Sequence, residues 1–356
     1  MTSSKEISAT TLQKAQQNLL DWYLRNKRDL PFRKTKDPYK IWVSEIMLQQ
    51  TRVAAMTEKY NRFIRRFPDV RQLADADEEE VMQYWSGLGY YSRAKNLKKG
   101  AEKIVSDYNG YFPSALQQAL QIPGIGNYTA AAILSIAYNK NHAVLDGNVK
   151  RVLSRVYLLQ QPTGLSASAR ELQRLADGFL HPEYPGDHNQ ALMELGSEIC
   201  AQSPKCGICP IIKICHAKKH NKQLQVPVQL AKKPPQKLMM SFLLVRQDNK
   251  LLLLKDPRRR FFKTIWSLPY FLQPDPVPQG YINTLMQSGS LQAYPATASH
   301  TITHHKITLQ AMEVISAKIS LESLPQYKWI DAKKLVTEFP SSVAVKLEKI
   351  IVKQNE

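Results

Sequence analysis

Ile122-Pro123-Gly124-Ile125-Gly126-Asn127-Tyr128-Thr129 stands between two stretches of helical pattern. Gly124 and Gly126 permit a tight turn whose backbone N–H groups point outward at the start of the next helix. Such a turn is an anion site made of main chain, able to grip a phosphate without reading bases. This is the helix-hairpin-helix pattern, placed at about 114–138, with Ser114 expected to open a short helix after Pro113. An isolated Pro-Gly-Ile-Gly also serves as an ordinary interhelical turn. Its surroundings argue for more. Leu145-Asp146-Gly147-Asn148-Val149 follows, an acid in a loop, and then the basic Lys150, Arg151 and Arg155.

Further along, all four cysteines of the chain fall in one stretch: Cys200, Cys206, Cys209 and Cys215. A disulfide framework would spread its bridges along the chain, and intracellular thiols stay reduced. Four thiolates in one loop point to a metal or iron–sulfur site. A single C-x2-C flanked by lone cysteines suits a cubane with four corner irons. Structural zinc, which usually draws on two C-x2-C knuckles, is the alternative.

The rest of the chain sets the frame. Its 356 residues suggest two domains, and Lys+Arg 49 against Asp+Glu 30 leaves a net charge of +19. So basic a chain usually meets a polyanion. No run approaches the roughly 18–20 apolar residues of a spanning helix, and Met1–Lys14 does not read as a secretory signal. A hydrophobic content of 43% excludes a collagenous or mostly disordered chain. The expectation is a cytoplasmic, DNA-associated monomer with no membrane partner.

Residues 1–220 read as helical, with Asp37-Pro38 as an N-cap followed by proline at the first helical position. Residues 221–236, rich in Pro and Lys, read as a linker. From 237 to 356 the pattern is α+β: MMSFLLVR, KLLLLK and HKITLQAMEVI are strand-like, and AVKLEKIIVK is an amphipathic helix.

Helix-hairpin-helix, LDGNVKRV and a four-cysteine loop together resemble the endonuclease III superfamily of DNA glycosylases. DLPFRKTKDPYKIWVSEIMLQQTRV and WSGLGYYSRAKNL narrow the resemblance to the MutY adenine DNA glycosylases. It is strong over about residues 12–220 and weaker beyond. The resemblance implies an all-α helix-hairpin-helix glycosylase domain carrying a 4Fe–4S cluster, then an α+β Nudix-like domain. It implies excision of adenine mispaired with 8-oxoguanine, or with guanine, in double-stranded DNA. A thymine or oxidised-pyrimidine glycosylase, and a non-catalytic DNA-binding or redox-sensing protein, are the competing readings.

Two carboxylates fit that chemistry. On a helical wheel Trp42, Val43, Ile46 and Met47 form an apolar face, and Glu45 falls inside the arc. Burial raises a carboxylate's pKa and makes a general acid near neutral pH. The resemblance makes Glu45 the acid that protonates the flipped adenine at N7. Asp146 would stabilise the cation that develops on the sugar, or trap it covalently, with Asn148 orienting it or a water. Tyr128 occupies the slot where the superfamily's bifunctional members carry a lysine. It cannot form an imine and is expected to hydrogen-bond near Asp146.

The resemblance also assigns binding residues. Arg28, Leu30, Arg33, Leu48 and Gln190 map to the walls of the base pocket, with Phe32 in place of the family's usual tryptophan. A flipped base leaves a gap that side chains must fill. Gln50 and Tyr90 map to that wedge, in Gln49-Gln50-Thr51 and Leu88-Gly89-Tyr90. Gly124 and Gly126 would meet phosphate. The first cysteine gap is five residues where the family has six.

In the second domain, Glu313 is the only glutamate between Leu251 and Ser320. The metal box of a working Nudix hydrolase is therefore absent, and no magnesium requirement is expected. The segment His300–His305 reads as a polar loop. Ile302, Thr303 and His304 match the family's aromatic–serine–histidine reader of 8-oxoguanine, with an aliphatic wedge.

Overall fold

A computed structural model describes residues 7–51, 53–230, 234–275, 280–316, 321–322 and 324–352. Two compact units emerge: Met1–Ala76 with Asn96–Ala231, and Asp77–Lys95 with Lys232–Glu356. The division differs from a single cut in the chain. Segment 77–95, containing helix α3 (Glu78–Tyr84), groups with the second unit, where Trp266 donates its indole N–H to Glu79 at 3.0 Å. The first half of the expected linker belongs to the first unit. Arg155 Nε donates to the Val226 carbonyl at 3.0 Å, and Thr163 N–H to that of Val228 at 3.2 Å. Residues 231–233 lie outside the described set.

The first unit is helical. α1 (Ala9–Asn26) buries Ala15, Gln16, Leu19, Leu20 and Tyr23, the single stripe of a surface helix. α2 (Pro38–Leu48) starts as expected: the Asp37 carboxylate accepts the Tyr39 N–H at 2.9 Å. Tyr39 and every residue from Ile41 to Met47 are buried, so α2 runs through the core. It packs on α4 (Asn127–Tyr138), whose residues Thr129–Ile136 are also buried. α5 (Gly147–Val156) and α6 (Pro185–Glu198) complete the frame, with α6 against α1, α4 and α5. Gly186 makes that packing possible, because a Cβ there would stand 2.6 Å from the Ser135 carbonyl oxygen.

The hairpin preceding α4 is present, with Gly126 as the N-cap of α4. Gly124 has φ +81°, and a Cβ there would meet that of Asn96 at 2.8 Å, so both backbone and space call for glycine. The helix before the hairpin is Leu116–Ala119, capped at Ala115. It does not open at Ser114, whose hydroxyl makes no cap there.

The second unit is built on a six-stranded sheet: β1 (Gln236–Gln247), β2 (Lys250–Lys255), β3 (Tyr270–Gln273), β4 (Gly289–Ile302), β5 (His305–Ser316) and β6 (Gln326–Asp331). Its order is β4-β5-β1-β2-β6, with β3 also on β1. β1 runs parallel to β5 from Gln236↔His305 to Val245↔Val314 and antiparallel to β2 and β3. Both faces of β1 are covered, so Phe242–Val245 are all buried and show no alternation. Leu243 and Val245 pack with Leu252, Leu254, Ile282 and Leu285, the last two from α7 (Tyr281–Gln287). α8 (Ser342–Val352) lies on β4 and β5. The expected strands are β1, β2 and β5. The segment from His300 is not a six-residue loop: β4 continues to Ile302, and only Thr303 and His304 form the turn. β4 is polar and largely exposed, and its pairing with β5 makes it a strand.

Among the described residues no helix is long and apolar enough to cross a membrane. Gly186→Ala should destabilise the helical unit by about 1–3 kcal/mol, because the obstacle is backbone that cannot rotate away. Thermal unfolding of the full chain followed by helical circular dichroism measures it; an unchanged transition would mean that α6 shifts freely.

Candidate active site

A cavity of about 590 Å³ opens in the helical unit, walled by α2, α4, α6 and the start of α5. Glu45, Tyr128, Asp146 and Asn148 all face it. So do Arg28, Leu30, Phe32, Arg33, Leu48 and Gln190, the residues expected to wall a base pocket, and Gln49, Gln50 and Thr51. Phe32 is buried, with its ring edge-on to Tyr60 at 5.7 Å.

Glu45 is 6% exposed, because it stands on the helix that runs through the core. The Tyr128 hydroxyl donates to its Oε2 at 2.7 Å. Tyr128 therefore bonds Glu45, where the sequence suggested Asp146. The reason is the α2–α4 contact, which brings the first turn of α4 over the middle of α2. Burial pushes Glu45 up to about 7. The Tyr128 hydrogen bond opposes that rise, the nearby Asp146 adds to it, and Arg33 opposes it.

Asp146 is the N-cap of α5 and accepts the Val149 N–H at 2.7 Å. Asn148 Nδ2 donates to its other oxygen at 3.0 Å. Burial raises the Asp146 pKa, while the Val149 and Asn148 hydrogen bonds and the Arg151 charge draw it back. Arg151 was legible only as a basic residue. Its Nη2 donates to Asn148 Oδ1 at 2.8 Å and to the Gly196 carbonyl at 2.6 Å, and its Nε to the Cys200 carbonyl at 2.8 Å. Gly196 allows this approach, since a Cβ there would lie 2.7 Å from that of Asn148.

Glu194 was not anticipated. It is buried one turn after Gln190 on the face of α6 that lines the cavity; that i,i+4 spacing was the available signal. Arg28 grips it with Nε at 2.8 Å and Nη2 at 2.7 Å, and Arg33 Nη2 adds a third bond at 2.7 Å. Burial alone would raise the Glu194 pKa, but the bonds from Arg28 and Arg33 outweigh it and hold the group at about 2. Arg28 and Arg33 thus hold a buried carboxylate as well as lining the cavity.

Gln50 sits at the cavity with φ +58°. Leu88, Gly89 and Tyr90 belong to the other unit. Tyr90 is exposed, with φ +48°. Arg93 Nη2 donates to the Leu88 and Gly89 carbonyls at 2.9 and 3.1 Å. Leu88, expected at the DNA surface, is instead buried: an aliphatic side chain gains by leaving water. In the same unit Thr303 and His304 are exposed and Ile302 half-buried. Gly124 and Gly126 are exposed at the hairpin.

The four cysteines line one small cavity with Arg155 and Ile199. Arg155 is buried and donates to the carbonyls of Cys200 and Ala201 at 3.1 and 2.6 Å, fixing the loop's entry. Among the described residues no three His, Cys, Asp or Glu side chains converge on one metal ion.

Residues 43–177 match the HhH-GPD superfamily of base excision DNA repair proteins. The chain is 38% identical over 258 residues to an adenine DNA glycosylase of Buchnera aphidicola subsp. Acyrthosiphon pisum (strain APS), covering 72% of this chain and 73% of that protein. It is 45% identical over 210 residues to an adenine DNA glycosylase of Rattus norvegicus, covering 56% of this chain. That match spans only 41% of the longer rat protein. A solved thermostable thymine-DNA glycosylase is similar in fold, with a TM-score of 0.54 at 28% identity, covering 59% of this chain and 98% of that one.

The Glu194 network has a pH signature. A carboxylate whose folded pKa is depressed contributes stability above its unfolded pKa and loses it as pH falls toward the folded value. Glu194→Gln should therefore cost on the order of 2–3 kcal/mol at neutral pH. The deficit should shrink as pH drops below about 4.5 toward about 2. Urea unfolding of both proteins at pH 7 and pH 3 measures it, and a pH-independent difference would mean the pairing is not what stabilises the wall.

Proposed function

We propose, from the premise that the chain belongs to the adenine DNA glycosylases of the HhH-GPD base excision repair superfamily, that it hydrolytically removes adenine mispaired with 8-oxoguanine or guanine in duplex DNA. The reading is of a monofunctional enzyme acting where the cell's DNA is, in the cytoplasm. One observation carries it: a buried carboxyl poised at about 7 shares one cavity with a second, capped carboxyl.

The flipped adenine enters the cavity and Glu45 passes its proton to N7. The C1′–N9 bond then breaks, and its electron pair leaves with the base. Asp146, oriented by Asn148 and the Val149 N–H, faces the cation left on the sugar. Water adds at C1′ and gives up a proton, completing hydrolysis. Tyr128 offers no amine, so strand cleavage through an imine is not part of the reaction. Its hydroxyl tunes the acid. Thr303 and His304 would read the oxidised base opposite the adenine. Cys200, Cys206, Cys209 and Cys215 would hold a 4Fe–4S cluster whose service is to shape the loop.

Single-turnover release of adenine from an A:8-oxoguanine duplex tests the assignment. Glu45→Gln and Asp146→Asn should each bind the duplex and release base at least about 100-fold more slowly; a normal rate in either would remove that residue from the mechanism. The wild-type rate should fall as pH rises through about 7, as Glu45 loses its proton. Tyr128→Phe removes a bond that favours the charged form, so the fall should move to higher pH. A profile that does not move would detach Tyr128 from the acid.

Metal analysis tests the cluster. Protein purified without oxygen should be brown and hold roughly four irons per chain. One zinc and no iron, after growth with ample iron, would favour the structural zinc site.

A further inference from the structure

The turn that would read the lesion is held from behind by a third histidine. β4 and β5 pair through Ile302↔His305, leaving the two-residue turn Thr303–His304. Thr303 has φ +54°, a conformation that glycine takes freely and a β-branched residue rarely adopts. Neither turn residue is buried, so packing does not impose the geometry.

His305, 5% exposed, lies beneath the turn. Its Nε2 is 2.8 Å from Arg260 Nη2. A guanidinium can only donate, so Nε2 accepts and the ring proton sits on Nδ1. Nδ1 then donates to the Ile302 carbonyl at 3.2 Å and lies 3.3 Å from Thr303 Oγ1. The Thr303 hydroxyl donates to the same carbonyl at 2.7 Å. The ring of His304 stands over that of His305, centroids 3.9 Å apart. Arg260 is itself anchored by Asp275 at 3.2 Å and Gln236 at 3.2 Å. The edge-on ring of Phe261 flanks His305 at 5.6 Å.

We propose that Arg260 and His305 are positioning residues for recognition of the oxidised base: Arg260 fixes the tautomer of His305, and His305 fixes Thr303 and His304 in the reading conformation. The proposal deepens the reading of Thr303 and His304 as the lesion reader and rests on it. Without Arg260, His305 can exchange its proton to Nε2, the bond to the Ile302 carbonyl is lost, and the strained turn relaxes. The chemistry at Glu45 does not involve this lock, so the effect should fall on the choice of opposite base.

The test compares single-turnover adenine release opposite 8-oxoguanine and opposite guanine, by the full chain at fixed salt. Thr303→Ala combined with His304→Ala probes the reading itself; Arg260→Ala and Arg260→Lys probe its support. The ratio of the two rates should fall about three- to tenfold in Arg260→Ala, the loss of one supporting hydrogen bond. Arg260→Lys, which keeps a donor for Nε2, should recover most of it. With nitrogen-15-labelled histidine, His305 should show the Nδ1–H form in the wild type and in Arg260→Lys, and a mixture of tautomers in Arg260→Ala. An unchanged ratio in the double variant would overturn the reading of the turn. A ratio lost in the double variant but kept in Arg260→Ala would overturn the positioning role alone. So would a loss that lysine does not recover, or a tautomer indifferent to Arg260.

Discussion

The site depends on one carboxyl group taken out of water. Glu45 lies on a helix buried from Ile41 to Met47 and meets the outside only through the cavity it faces. The Tyr128 hydroxyl bonds Oε2, and burial raises the pKa so that the group still holds a proton in part near pH 7. Burial thereby lets the carboxyl keep a proton at a pH where an exposed glutamate would have lost it. The same hydroxyl limits how far the rise can go, since it bonds the charged form better than the neutral one. Glu194 shows the opposite solution a short way off. It too is buried, but Arg28 and Arg33 surround it and it remains ionised. Two buried glutamates in one cavity wall differ in pKa because only Glu194 is ion-paired directly by Arg28 and Arg33.

Asp146 is governed by a different constraint. As an N-cap its orientation is set by the helix it starts, and as a site residue it must present an oxygen to the cavity. Asn148 and Arg151 reconcile the two. Arg151 ties the first turn of α5 to the Gly196 carbonyl on α6 and to the Cys200 carbonyl at the cysteine loop. The start of α5 is thus tied through one guanidinium to the end of α6 and the entry of the cysteine loop, about fifty residues away in sequence. Gly196 is part of this arrangement because no larger residue would let α6 come so near.

Much of this was legible in the amino-acid order, and the exceptions have physical causes. Glu45 could be placed by the periodicity of its own helix, and Asp146 and Asn148 by a turn that is local. The residues that the resemblance assigns to a base pocket stand together around one cavity. The partner of Tyr128 was misread because it depends on which helix lies across α4. Glu194 went unseen because an acid on an amphipathic helix looks solvated until two arginines from another segment close over it. β4 was read in part as a loop because its strand character comes from pairing with β5. The assignment of 77–95 to the second unit, and of Val226 and Val228 to the first, rests on contacts that no local pattern announces.

Backbone strain links the three places assigned to reading DNA. Asn and Asp tolerate a left-handed backbone, and Asn109, Asn139, Asn221 and Asp248 need no further account. The remaining non-glycine residues with positive φ, among those described, are Gln50, Tyr90, Leu158, Phe262 and Thr303. Such conformations cost about 1–3 kcal/mol each and persist only where their surroundings over-determine them. Three of the five are the proposed wedge and lesion-reading residues. In each case the strained residue sits in a tight turn that projects a side chain. A relaxed, extended backbone would alternate its side chains along a strand and leave none at the tip. Holding a probe rigid before DNA arrives lowers the ordering cost of binding. The support differs by site: Arg93 bonds two carbonyls under Tyr90, and Arg260 acts through His305 under Thr303. In both, a cation donates into the base of a turn that leaves its tip exposed. If Gln50, Tyr90 and Thr303 serve as the proposed wedge and reader, the strain at their turns trades local stability for a rigid probe.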